Sequence, residues 1–76
     1  MDYYAVFAQS HQDFKDYLDR NIEKEKHHLY IFVDQKAKVV GQNFIDILFT
    51  DKMKPYQDFL NLYLEVNIRL NRPRRY

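Results

Sequence analysis

The strongest constraint on this chain is its load of aromatic rings. Seven Tyr and six Phe stand among 76 residues, with no Cys and no Trp. A domain of this size buries only about 60% of the surface its unfolded chain exposes, and each ring brings roughly 150–250 Å². Either the rings staple an unusually aromatic core, or some lie on a surface that another molecule covers. Without Cys, neither a disulfide nor a thiolate zinc site can supplement that core.

The rest of the composition narrows the class. The length allows one domain, residues 1–76, with a basic tail at 72–76. No apolar run approaches the roughly 20 residues of a membrane span. Met1-Asp2-Tyr3-Tyr4 lacks the basic start and apolar stretch of a signal peptide. A cytoplasmic protein with no membrane partner is the expectation. The formal charge of +1 is too balanced to argue for nucleic acid by itself. One Gly and two Pro argue against long disordered linkers.

Periodicity orders the elements. Residues 3–8 are a short apolar run of strand formers. Ser10 then offers an N-cap, and Asp13 suits the positive end of a helix. Phe14, Tyr17, Leu18 and Ile22 recur at helical spacing, so a helix is expected over 11–23. Residues 29–33 read as the clearest strand, apolar on both faces and hence central. Residues 39–41 could return as the second arm of a hairpin. Residues 44–49 fit a strand better than a helix, although a short apolar run satisfies both. Pro55 can open a helix carrying Tyr56, Phe59, Leu60 and Tyr63. Residues 64–70 alternate strictly, the period of a half-buried strand. The rival is a helix continued to Leu70.

The resulting order is β-α-β-β-α-β, a small α+β two-layer sandwich of ferredoxin-like type. The alternative is a three-stranded open α/β sheet with a longer C-terminal helix. Residues 41–48 together with 56–60 resemble a short stretch of PAS sensor domains. A full PAS sheet needs more chain than is present, so the likeness transfers no residue role.

Candidate chemistry is sparse. His27 and His28 are adjacent, which places them on opposite faces of a strand or about 100° apart on a helix. Neither geometry gathers both on one ion, and His11 lies at the start of the first helix, so no metal site is expected. Asp46 and Asp51 flank an apolar run as a magnesium-holding strand would, but the partner loop GxxxxGK[ST] is absent. Ser10 is the only Ser and Thr50 the only Thr, and with no Cys the chain lacks the parts of nucleophilic catalysis. No enzyme activity, no catalytic residue and no cofactor is expected.

Two binding features remain. Tyr3 and Tyr4 are neighbours on a strand and must face opposite ways, as must Tyr30 and its neighbours, so a two-layer fold would leave tyrosines on its open face. Arg69, Arg72, Arg74 and Arg75, ending in Tyr76, crowd the C-terminus with guanidinium groups and one stacking ring. These eight residues are the candidate partner-binding set. The function expected from them is a small non-enzymatic protein acting through protein–protein contact, with another protein or with itself as a homodimer. Phage and mobile-element accessory proteins that inhibit a host factor are often chains of this kind. The alternative is a single-stranded nucleic-acid binder, with bases stacked on the sheet tyrosines and phosphates held by the arginines.

Overall fold

The structure is a computed structural model and describes residues 2–70. Strand β1 (Asp2–Phe7) leads into helix α1 (His11–Asn21) and a short 3-10 helix (Lys24–Leu29). Strand β2 (Tyr30–Phe32), a 3-10 turn (Lys36–Lys38) and strand β3 (Asn43–Phe49) follow, and helix α2 (Phe59–Ile68) ends the described chain. The sheet order is β2-β1-β3, and both pairings are parallel.

This is the three-stranded alternative, and the ferredoxin-like order does not form among the described residues. The reason lies in β1. Ala5, Val6 and Phe7 are all fully buried, so β1 takes the centre and needs cover on both faces. Its odd residues enter one cluster, where Tyr3, Ala5 and Phe7 meet Val33, Val39, Phe44, Leu62 and Val66. Val6, with Ala8 just beyond the strand, enters another and meets Phe14 and Leu18. Successive strand side chains point to opposite faces. Helix α2 therefore covers one face and α1 the other, and the fold has three layers rather than two.

Four further expectations change. Residues 29–33 give the edge strand β2 rather than the central one, because helices covering both faces make an edge strand as apolar as a middle one. No hairpin joins β2 to β3, because parallel strands on opposite sides of β1 need a crossover. Val39 serves that crossover as a fully buried plug beneath α2, and Gly41 takes the turn at φ 82°. Residues 64–70 are helical through Ile68. Helical spacing buries Leu62 and Val66 on one side and brings Glu65 to 3.3 Å from Arg69, four residues on. The helix opens at Phe59, after a turn closed by Phe59 N–H donating to Tyr56 O at 2.9 Å, and not at Pro55.

Local signals read from the sequence do form. Ser10 caps α1, its Oγ accepting from Asp13 N–H at 3.2 Å. Strand β3 forms over residues 43–49. Its register with β1 slips between Tyr3 and Tyr4, which face Phe44 and Asp46 in turn. The extra residue, Ile45, is pushed outward as in a β-bulge. That slip lets Phe44 and Ile47 both reach the α2 side, which strict alternation would forbid. The end of α2 then latches to β3, with Phe44 N–H donating to Arg69 O at 3.0 Å and Leu70 bridging Phe44.

Candidate functional site

Open parallel sheets bind ligands outside the carboxyl ends of their strands. There Asp13 is buried. Its Oδ2 accepts from Gln9 N–H at 3.0 Å and from the Thr50 hydroxyl. Burial alone would push this carboxyl up. The Thr50 and Gln9 hydrogen bonds, with the charges of Lys52 and Arg20, outweigh burial and hold it below its ordinary value. The carboxylate thus ties the first turn of α1 to the end of β3. Its described bonds are those of a clamp.

The histidines are likewise engaged in the fold. His27 Nε2 lies 3.1 Å from Leu18 O and 2.9 Å from Ile22 O. Carbonyl oxygens only accept, so this nitrogen carries the proton and closes the end of α1. His11, His27 and His28 line one shallow cavity of about 320 Å³ beside Tyr30. Among the described residues no group of His, Cys, Asp and Glu is arranged to hold a metal ion. A second cavity, of about 470 Å³, lies between the 34–36 segment and α2. Two of its three acids are matched within the chain, Asp34 by Lys38 at 2.7 Å and Glu65 by Lys36 at 3.6 Å, and Asp58 is the third.

The expected tyrosine surface is divided by the sheet. Tyr3 packs against the α2-side cluster. Tyr4 and Tyr30 lie side by side in the β1–β2 register, with rings stacked at 4.7 Å and 13°. Burial, together with the neighbouring Tyr4 and Tyr17 hydroxyls, raises the Tyr30 phenol above its ordinary value. All three are half-buried. Arg69 is half-buried and paired with Glu65. Arg72, Arg74, Arg75 and Tyr76 lie outside the described residues.

The surface that stands out is one the candidate set did not contain. Helix α2 turns Leu62 and Val66 inward. Yet Leu60, Leu64 and Ile68 on its far side are 61%, 48% and 78% exposed. Four-residue steps put these three on one stripe. A helix with apolar residues on two sides is ordinarily covered on both, and here the second side faces outward. A ladder of rings adjoins the start of the same helix. Phe59 meets Tyr56 edge-on at 5.9 Å, Tyr63 at 6.0 Å and Phe49 at 6.1 Å, and Phe49 is 46% exposed. The signal was present in the sequence as Leu60, Leu64 and Ile68 at i, i+4 and i+8. It was masked by the competing alternation of residues 64–70.

Compared with known proteins, the chain matches no family model, no curated protein and no solved structure. Among the described residues no helix is long and apolar enough to cross a membrane.

Proposed function

We propose that this chain is a non-enzymatic binding protein that works through protein–protein contact on the outer face of α2. The observation that carries this reading is the exposed stripe of Leu60, Leu64 and Ile68 on a helix whose opposite side is already in the core. Isolated surface leucines are ordinary, whereas a contiguous apolar patch marks an interaction site. The adjoining rings of Phe49 and Tyr56 suit the same role, since aromatic residues are enriched at interface centres. A nucleic-acid platform would need several open rings on a sheet face. Here helices lie over both faces, so this second reading has no comparable support.

A photo-crosslinking side chain at Ile68, introduced in the full chain and activated in the cells that make it, tests the reading. A covalent protein adduct is expected at Ile68 and none at Lys15, which is exposed on α1. Absence of any adduct at Ile68, with the variant folded, would sink it.

A further inference from the structure

We infer that the occupant of this stripe is a second copy of the chain, joined through α2 in an antiparallel, two-fold pair centred on Leu64. The inference rests on the protein-contact reading above and names its partner.

The stripe is symmetric about its own middle. Leu60 and Ile68 stand four residues to either side of Leu64. A two-fold axis beside Leu64 would bring Leu64 against Leu64 and lay Leu60 of each copy along Ile68 of the other. That is the self-complementary pattern of an isologous dimer, in which one patch serves both subunits.

Charge favours the same occupant. The segment Phe59–Ile68 holds one charged residue, Glu65, and this is neutralised within the chain by Lys36 at 3.6 Å and Arg69 at 3.3 Å. By helical geometry Asn61 and Asn67, both neutral, flank the stripe. A charged partner would find little on α2 to read. A second copy brings the same neutral surface, so no like charges on the two helices oppose one another. Antiparallel pairing also sets the positive end of each helix dipole beside the negative end of the other.

Area decides the extent. A specific interface takes about 800 Å² from each partner, and a helix of ten residues is only about 15 Å long. The stripe alone is too small. The contact must spread onto the adjoining rings, and Phe49 and Tyr56, 46% and 40% exposed, are placed beside α2 to supply it.

Equilibrium sedimentation of the full chain is the direct test. The expected mass is twice 9.4 kDa. Leu64→Glu should raise the dimer Kd roughly thirty-fold or more, the effect of losing one interface hot spot, with an unchanged far-UV circular dichroism spectrum. The absence of native Cys allows a second test of orientation. Leu64→Cys should form a disulfide with itself under mild oxidation. Leu60→Cys mixed with Ile68→Cys should cross-link more than either alone. A 9.4 kDa species up to millimolar concentration overturns the second-copy assignment. So does a dimer that Leu64→Glu leaves intact, and preferential Leu60→Cys self-linking overturns the antiparallel register. An Ile68 adduct of some other mass would reject the second copy while leaving the protein-contact reading in place, whereas no adduct at all rejects both.

Discussion

The two helices cover opposite faces of one small sheet and finish the job differently. Helix α1 buries Phe14 and Leu18 and turns Gln12, Lys15, Asp19 and Arg20 to solvent. It is capped by Ser10, knotted by Asp13 to Thr50, and closed by His27. Helix α2 has no side-chain N-cap, one charge, and apolar residues inside and out. The sheet needs both helices, since Ala5, Val6 and Phe7 of β1 are fully buried on its two faces. The difference between them therefore concerns what lies beyond. A helix finished with charges is a boundary with water, and one left with leucines is the face on which we propose a contact.

The largest test of this contrast is on the inner side of α2. Phe44 is fully buried in the cluster beneath that helix. Phe44→Ala should cost about 3–5 kcal/mol in urea unfolding, a large part of the roughly 5–15 kcal/mol a domain has. A loss under about 1 kcal/mol would mean the inner face of α2 is no more committed to the core than its outer face.

The next effect concerns the way α1 is tied down. Asp13→Ala strips the acceptor from Gln9 N–H and the Thr50 hydroxyl and should cost about 1–3 kcal/mol near neutral pH. The folded carboxyl titrates below its ordinary 3.8. Its stabilisation is therefore complete above that value and is lost as the pH falls through the lower, folded value. The wild-type and variant stabilities should converge in acid. A difference that stays constant from neutral pH into acid would show that the clamp does not depend on the charge.

The smallest effect should come from the outer side of α2. In the monomer, measured at high dilution, Leu60→Gln should change stability by no more than about 0.5 kcal/mol. A loss above about 2 kcal/mol would place the stripe inside the chain's own fold and erase the contrast with α1.

How much of this was legible in the sequence follows the same division. Helix α1 was, because its cap, its first-turn acid and its stripe are all local. Strands β1 and β3 were, as apolar runs. The first half of helix α2 was, from the stripe of Phe59, Leu60 and Tyr63, but its second half was not, because Leu64, Val66, Ile68 and Leu70 alternate with polar residues as a strand would. The outcome was decided by distant partners, Val39 and Phe44, which Leu62 and Val66 cover. Strand order was hidden for a related reason: helices on both faces make edge and centre look alike. The tyrosines were read correctly as pointing to opposite sides of β1. That the Tyr4 ring would lie on Tyr30 depends on a pairing of strands far apart in the chain.

The bridge from Leu70 to Phe44 carries a consequence for connectivity. Phe44 also faces Tyr3 across the sheet, so the two ends of the described chain lie at the same end of the molecule, two strand spacings or about 10 Å apart. A short flexible linker could join them, and the 51–58 segment between β3 and α2, exposed except at Met53, offers a place to open the chain anew. Such a circularly permuted form of residues 2–70 would keep every strand pairing and both helices while opening at the opposite pole.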